Sequence, residues 1–295
     1  MPKTYHRSLQ EAKNLFKRHK ISSPEVNAEI LLSHVVKKPK VELYLNVNQF
    51  LTKNQEQKYK KLIQERVKGK PLQYILGETD FYGLKLKIDK NVLIPRPETE
   101  ILVENVINFF KDRSEKLKIA DWGTGSGNIA IALAENLNCL VYALDISQPA
   151  LNLARRNALG NKVVKKLKFL QSNGFKKLDK KLKGKIDAIV SNPPYVEKSD
   201  FIKLPREIRN FEPKVALLSK KNGLFYLQTI IAEGKTFLKP GGLIALEVAL
   251  GQAPKVANLL EKEGNFENIQ IKKDLAGIQR IVTAQKKFKK GGLIK

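Results

Sequence analysis

The fold of this chain is constrained most by a regular alternation of short apolar strands and helical stretches that begins near residue 115. Short apolar runs bounded by polar or turn-forming residues predict buried strands. Strands separated by helices predict an α/β domain with a doubly wound, mostly parallel sheet. Residues 269–271 and 280–284 lie close together and predict a terminal hairpin that gives the sheet an antiparallel edge. The predicted parallel strands lie near residues 117–121, 140–145, 167–171, 186–191 and 242–248.

A glycine-rich loop follows the first of these strands, which ends in Asp121, and leads into a helix predicted over residues 128–137. Such a strand–loop–helix turn is the usual nucleotide cradle of an open parallel sheet, because glycine lets the backbone turn sharply and approach a ligand. Asp145 ends the next strand, about 20 residues further on, where a carboxylate can accept hydrogen bonds from both ribose hydroxyls. No lysine typical of a triphosphate-binding loop follows, so we expect no triphosphate here. The loop contains Gly123, Thr124, Gly125, Ser126 and Gly127.

The motif Asn192-Pro193-Pro194-Tyr195 follows the apolar strand at residues 186–191. Two prolines cannot continue a sheet, because they lack the backbone N–H, but they keep their carbonyl groups. The Asn192 side-chain oxygen and the Pro193 carbonyl can each accept one hydrogen of a planar NH2 group, on whose flat face Tyr195 can pack. The motif, the glycine loop and Asp145 all follow strand ends, so we expect them on one rim of the sheet, where an amino or amide nitrogen can be modified.

These residues resemble the class I S-adenosylmethionine-dependent methyltransferases, a Rossmann-like fold, that modify amino nitrogens. Further stretches resemble one family among them, the peptide chain release factor glutamine methyltransferases (PrmC/HemK), and the resemblance extends to about residue 285. The matching stretches are residues 71–77, 81–83 and 93–100, Glu212-Pro213 with Ala216-Leu217, Gly241-Gly242 with Leu246-Glu247, and Ala276-Gly277 with residues 280–282.

The resemblance implies that a methyl group passes from S-adenosyl-L-methionine to the amide nitrogen of a glutamine, with S-adenosyl-L-homocysteine as the second product. The glutamine implied is that of the Gly-Gly-Gln loop of class I release factors. Asn192, Pro193, Pro194 and Tyr195 are the implied catalytic and substrate-binding residues, with Arg96 and Glu212 as further substrate ligands. The implied cofactor ligands are Asp121, Gly123, Thr124, Gly125, Ser126, Gly127, Asp145, Asn173, Gly174 and Asn192.

One segment departs from the pattern of the family, which usually has an acidic residue after the third strand to accept the adenine amino hydrogens. Here Asn173 stands at that place; its amide oxygen can accept, but its NH2 group also brings donors. Gly174 replaces a bulkier neighbour that could contact the ring, so we expect looser packing around adenine. Trp122, beside the glycine loop, is expected to pack at the strand end.

The chain length of 295 residues allows two domains of ordinary size. Before residue 77 the pattern is helical: Ser22 or Ser23 predicts an N-cap before Pro24, and an amphipathic helix is expected from Thr52 to Val67. The domains expected are a helical unit at residues 1–77 that recognises the release factor, a β-hairpin linker at 78–95, a methyltransferase domain at 96–285 and a disordered basic tail at 286–295.

The net charge of +26 favours anionic partners, but the lysines are scattered in pairs, which fits a lysine-rich composition better than a nucleic-acid groove. We therefore expect that nucleic acid is not required, although weak contact with RNA or the ribosome is allowed. One cysteine fits a reducing cytosol, and the sequence has no apolar stretch of membrane-spanning length and no cluster of metal ligands, so we expect a cytoplasmic protein without a metal site. We also expect a monomer.

Three other functions stay open from the sequence. Adenine N6 offers the same planar NH2 group, so a DNA or RNA amino-methyltransferase is the leading rival. No large target-recognition region follows the catalytic residues, which disfavours this rival. The second is glutamine methylation of a ribosomal protein. The third is a binding module that holds S-adenosylmethionine without catalysis, for which the Asn192 motif would have no use.

Overall fold

The computed structural model describes residues 2–288, and the chain divides into two compact units. The first contains the residues up to Glu78 together with Pro205–Phe211, and the second contains Thr79–Leu204 and the residues from Glu212 on. The first unit therefore takes a short segment from the middle of the chain.

Helices build the first unit. Thr52 caps the fourth helix with a full capping box, in which its hydroxyl accepts from the Gln55 N–H and the Gln55 side chain accepts from the Thr52 N–H. The core is formed by apolar side chains such as Phe16, Leu31 and Leu43, which are fully buried. The helices are α1 (Tyr5–Arg18), α2 (Pro24–Val36), α3 (Lys40–Leu45), α4 (Lys53–Val67) and α5 (Leu72–Leu76).

The start of α2 differs from the sequence prediction in one respect. Ser23 is the N-cap residue and Pro24 lies in the first turn, as expected, but Ser23 has φ 48° and makes no side-chain capping bond. The Asn27 side chain instead donates to the carbonyls of Ser22 and Ser23 at 2.9 and 3.0 Å. The Asn27 side chain, rather than a Ser23 cap, therefore ties the turn together.

The second unit is a three-layer α/β structure, which confirms the predicted fold class. Its seven-stranded sheet has the order β5-β4-β3-β6-β7-β9-β8, and β7, β9 and β8 form the antiparallel part. The apolar sides of α6 and α7 cover one face, and α11 and α12 cover the other. The strands are β1 (Glu78–Phe81), β2 (Leu84–Lys87), β3 (Leu117–Trp122), β4 (Cys139–Asp145), β5 (Leu167–Gln171), β6 (Ile186–Ser191), β7 (Leu238–Glu247), β8 (Phe266–Lys273) and β9 (Gln279–Lys286). The helices are α6 (Pro97–Phe110), α7 (Asn128–Asn136), α8 (Gln148–Gly160), α9 (Lys198–Phe201), α10 (Arg206–Phe211, which belongs to the first unit), α11 (Phe225–Gly234) and α12 (Ala253–Lys262).

The strand β7 begins at Leu238, earlier than the predicted residue 242, and it runs through a Pro-Gly-Gly sequence that is typical of a turn. The pairing with β6 is irregular there, passing from Ile186–Leu238 to Ala188–Leu243. A side chain at Gly242 would stand 3.1 Å from the Asp187 carbonyl oxygen, so the close approach requires glycine.

The predicted hairpin after residue 77 is present as the pair β1 and β2. At the other end, Lys286 is the last residue of β9, and its side-chain amine donates to the Leu238 carbonyl. The predicted start of the disordered tail at residue 286 is therefore wrong, because residue 286 still belongs to the sheet. The cause is that β9 continues two residues beyond the predicted stretch. Residues 289–295, where the rest of that prediction falls, lie outside the described residues.

Candidate active site

A cavity opens in the second unit at the carboxyl ends of β3, β4 and β6, on the predicted rim. It gathers most of the residues singled out by sequence, while five others lie outside its lining. The predicted residues that line it are Arg96, Gly123, Thr124, Gly125, Ser126, Asp145, Asn173, Gly174, Asn192 and Pro194. The predicted residues outside the lining are Asp121, Gly127, Pro193, Tyr195 and Glu212.

The glycine loop forms the floor of the cavity. Gly123 and Gly125 have φ of 74° and 55°, and a Cβ on Gly123 would meet nothing within 4 Å. Gly127 has a different role, because its Cβ would stand 3.0 Å from the Ala154 Cβ; glycine here lets the start of α7 lie against α8. The loop therefore combines an open cradle for a ligand with close helix packing.

Asp145 holds this loop in shape from the end of β4. Its carboxylate accepts from the Gly125 N–H at 2.8 Å and from the Ser147 N–H at 2.9 Å. Burial raises the pKa of Asp145 above its ordinary value, and the backbone N–H donors oppose that rise. Each carboxylate oxygen keeps a further lone pair, so Asp145 can also accept from ribose hydroxyls.

Asp121 is fully buried beneath the loop and does not line the cavity. The Thr124 hydroxyl donates to its Oδ2 at 2.6 Å. The pKa of Asp121 is raised to about 7, chiefly by burial, against the Thr124 hydrogen bond, with a smaller rise from the negative charge of Asp145. Its contacts support a role in shaping the loop, and direct contact with a cofactor stays a prediction.

Asn192 ends the chain of contacts that begins at Glu247, the last residue of β7. The Asn192 side-chain NH2 donates to the Thr99 hydroxyl oxygen at 3.1 Å, and that hydroxyl donates to Oε2 of Glu247 at 2.6 Å. Thr99 and Glu247 are 1% and 2% exposed. With its NH2 group occupied, Asn192 has its side-chain oxygen left to accept a hydrogen bond.

Tyr195 is half-buried beside the same carboxylate. Its hydroxyl donates to Oε1 of Glu247 over a long 3.4 Å, and its pKa is raised far above the ordinary value, chiefly by burial and next by the charge of Glu247. The neutral phenol is thus the stable form. Its predicted stacking on a substrate amide stays a prediction.

The loop that carries this motif is braced from behind by residues 217–223. The Val196 N–H donates to the Leu217 carbonyl at 2.9 Å, and the Ser219 N–H donates to the Val196 carbonyl at 2.8 Å. A Cβ on Gly223 would overlap the Tyr195 carbonyl oxygen. The brace fixes the backbone direction of the Asn-Pro-Pro-Tyr loop.

Arg96 and Glu212, the two predicted substrate ligands, contact each other. The Glu212 side chain is 1% exposed and accepts from the Arg96 guanidinium at 2.5 Å and from the Ile94 N–H at 3.3 Å. This burial favours a role for Glu212 in holding residues 94–96 at the cavity wall. Arg96 does line the cavity and keeps 30% exposure of its side chain.

Asn173 and Gly174 form another part of the cavity wall, together with two aromatic residues. Asn173 is exposed. Trp122 packs at the strand end, as predicted, but it also lines the cavity, and its ring centroid is 5.5 Å from that of Tyr226. A Cβ on Gly174 would stand 3.3 Å from the Glu233 carboxylate and 3.6 Å from the Trp122 indole nitrogen, and the positive φ of 68° there also favours glycine.

Glu247 and Tyr226 were not predicted as site residues, and Thr99 was included only as part of the resembling stretch at residues 93–100. Thr99 and Glu247 fall within stretches that carry the family resemblance, which was the available signal, but their contact joins positions 148 residues apart. Among residues 2–288 no three His, Cys, Asp or Glu side chains are grouped closely enough to hold a metal ion. None of the described helices is long and apolar enough to cross a membrane.

Comparison with known proteins finds family models and relatives that agree with one another. A family model described as PrmC N-terminal domain matches residues 8–77, and one described as Methyltransferase small domain matches residues 97–208. A release factor glutamine methyltransferase of Fusobacterium nucleatum is 38% identical over 92% of this chain and 76% of its own length. One of Rhodopirellula baltica is 36% identical over 97% of both chains.

Solved structures share the fold. The hMettl16 catalytic domain, solved in complex with MAT2A 3'UTR hairpin 6, matches 79% of this chain and 84% of that chain with a TM-score of 0.57 and 18% identity. At this identity the likeness concerns the fold alone.

Proposed function

The chain belongs to the release factor glutamine methyltransferase family, and we propose that it transfers a methyl group from S-adenosylmethionine to the side-chain amide nitrogen of the glutamine in the Gly-Gly-Gln loop of class I release factors. The observation that carries the proposal is the free side-chain oxygen of Asn192 at the rim of the cavity, next to the glycine loop. A substrate NH2 group needs such an acceptor.

The chemical difficulty is the weak nucleophilicity of an amide nitrogen, whose lone pair is delocalised into the carbonyl. Asn192 and the Pro193 carbonyl can each accept one amide hydrogen and so fix the nitrogen. Alignment of reacting atoms within about 3–3.5 Å supplies much of the acceleration. The two acceptors would also favour the positive charge that grows on the nitrogen as the N–C bond forms and the bond between the methyl group and the sulfonium sulfur breaks. The nitrogen would then release one proton to water. Tyr195 would pack on the flat face of the amide and exclude water.

The residues present fit S-adenosylmethionine, which supplies an electrophilic methyl group when bound. Gly123 and Gly125 leave open space where side chains would otherwise stand, which supports close approach of a ligand to the backbone. Asp145 would accept from the ribose hydroxyls, and Asn173 would face the adenine amino group. Asp121 and Thr124 would keep the loop in this shape.

We further propose that the helical unit formed around α1 to α5 contributes to recognition of the release factor. The expected setting is a cytoplasmic monomer that does not require nucleic acid. The lysines lie in pairs scattered along the chain. This distribution is compatible with weak contact with RNA or the ribosome, but it does not indicate a dedicated groove for nucleic acid.

The test is incubation of the protein with methyl-labelled S-adenosylmethionine and, separately, a class I release factor, its Gln→Ala loop variant, ribosomal proteins and duplex DNA. We expect label on the wild-type factor and none on its loop variant. Asn192→Ala should abolish labelling, whereas Asn152→Ala, the same change at an exposed position of α8, should not. Label on DNA alone, or on ribosomal proteins alone, would contradict the proposed substrate.

A further inference from the structure

Two buried residues, Thr99 and Glu247, are linked to the Asn192 amide by hydrogen bonds, and Thr99 also lines the cavity. Thr99, in the first turn of α6, stands between Asn192 and Glu247, at 3.1 and 2.6 Å from their side chains. Glu247 closes β7, and Asn192 follows β6, the strand paired with it. Three neighbouring elements thus meet in one line of polar atoms inside the unit.

Counting hydrogens fixes the direction of this line. An ionised carboxylate only accepts, so the single hydrogen of the Thr99 hydroxyl is directed to Glu247. The Thr99 oxygen can then only accept, and the Asn192 amide must present its NH2 side to it. Its oxygen consequently turns away from Thr99. The reversed amide would set an NH2 group against the NH2 group of a substrate, where neither can accept.

We propose that Thr99 and Glu247 are positioning residues that orient the Asn192 amide so that its oxygen, and not its NH2 group, faces the substrate nitrogen. The inference deepens the proposed function and rests on it for the identity of the substrate. In this proposal both residues act through Asn192.

The surroundings of Glu247 set the pH range in which its carboxylate is ionised and only accepts. Burial raises the pKa of Glu247 to about 7, and the charge of Glu98 acts in the same direction. The Thr99 and Tyr195 hydrogen bonds and the charge of Arg280 act against it. Experiments should therefore be carried out well above neutral pH, where Glu247 is ionised and the direction of the hydrogen bonds is set.

The decisive pair of variants is Thr99→Val and Thr99→Ser. Valine keeps the volume and removes the hydroxyl, whereas serine keeps the hydroxyl. With the release factor as substrate, we expect Thr99→Val to lower kcat roughly tenfold or more with little change in KM, because orientation rather than binding is lost. Thr99→Ser should retain most of the activity. Thermal melts of both variants exclude unfolding as the cause.

A readout without any substrate separates this inference from the proposed function. In a ¹⁵N-labelled sample, the side-chain NH2 signals of Asn192 are assigned by their absence in Asn192→Asp. We expect slow hydrogen exchange of these protons in the wild type and in Thr99→Ser, and exchange roughly tenfold faster or more in Thr99→Val, since a lost hydrogen bond exposes them. If the wild-type protein transferred no labelled methyl group to a release factor, the proposed function would be refuted. The exchange measurement would still test the positioning of Asn192, because it uses no substrate.

Two outcomes would overturn the inference. One is unchanged Asn192 exchange in Thr99→Val. The other is equal loss of activity in Thr99→Val and Thr99→Ser, which would assign the effect to packing rather than to the hydroxyl.

Discussion

Trp122 is the only tryptophan of the chain and one wall of the cavity, so its fluorescence reports directly on the ligand site. Asn173 lines the same cavity and stands where the resemblance to the family led us to expect an acidic residue. A single neutral hydrogen bond contributes about 0.5–1.5 kcal/mol, which corresponds to a change in Kd of roughly two- to tenfold. We therefore expect a change in Kd of this size when the single side-chain amide of Asn173 is removed from the adenine position.

We predict that S-adenosylmethionine changes the Trp122 emission and that Asn173→Ala raises the Kd of this titration by roughly two- to tenfold. The control is Asn152→Ala, which removes an exposed amide from α8 and should leave the Kd unchanged. An unaltered Kd in Asn173→Ala would remove Asn173 from the adenine site.

Asp121 makes the stability of the ligand-free protein depend on pH. Its pKa rises from an ordinary 3.8 to about 7 on folding, because burial disfavours the charged form. The folded state therefore binds the proton more tightly, and the stability that this carboxyl contributes is lost as pH rises from about 4 to 7. Above that range the contribution stays constant.

Asp121→Asn cannot titrate, so we predict that its melting temperature rises relative to that of the wild type between pH 5 and pH 8. A difference in free energy of unfolding on the order of a few kcal/mol corresponds to a shift of several degrees. The measurement is a series of thermal melts of both proteins without cofactor. A difference that stays constant with pH would show that Asp121 is ionised throughout.

The Asn-Pro-Pro-Tyr loop has no regular backbone pairing of its own and depends on the turn at residues 221–223. Lys221, Asn222 and Gly223 all have positive φ, of 53°, 57° and 76°. The Gln252 side chain donates to the Asn222 carbonyl at 3.3 Å and lies 3.5 Å from that of Tyr195. A tight left-handed turn is thus clamped against the loop.

We predict that Gly223→Ala lowers both stability and kcat, because its Cβ would press on the Tyr195 carbonyl oxygen and displace the loop. Overpacking of this kind costs about 1–3 kcal/mol. Gly264→Ala is the matched control: it has a similar positive φ but open space around the new Cβ, so it carries the backbone strain alone. Methylation rates of the two variants, compared at equal folded fraction, measure the effect of the clamp; equal rates would contradict it.

The strands were predictable because their apolar runs are short and bounded by polar residues, so β3, β4, β5 and β6 lie within a residue of the expected places. The start of β7 was missed because Pro240 and Gly241 are residues typical of turns. Only the close approach of the Asp187 backbone to Gly242 shows why the strand needs glycine at that position. The glycine loop and Asp145 are local signals and were found. The contact of Thr99 with Glu247 joins distant positions, and spacing carries no information about it.

The division of the molecule was also hidden from local patterns, because Pro205–Phe211 belongs to the helical unit although it lies between β6 and β7 in the chain. Arg66 connects this segment to the helices. It is 3% exposed and donates to the Asn27 side chain at 2.7 Å, the Lys70 carbonyl at 3.0 Å and Glu207 at 2.7 Å. One buried cation with three acceptors thus links this segment to α2 and α4.

We therefore predict that Arg66→Met destabilises the protein by about 1–3 kcal/mol, because the Asn27 oxygen and the Lys70 carbonyl lose their donor, while the 35% exposed Glu207 can turn to solvent. Hydrogen exchange should accelerate first in α10, whose partner is lost, and leave the strands of the sheet protected. Lys203→Met is the control, since it removes an ion pair with Asp200 whose two side chains are 74% and 57% exposed, and such pairs contribute about 0–1 kcal/mol. If α10 kept its protection in Arg66→Met, the segment would be held by its apolar contacts, such as that of Phe211 with Gly69, rather than by the buried charge.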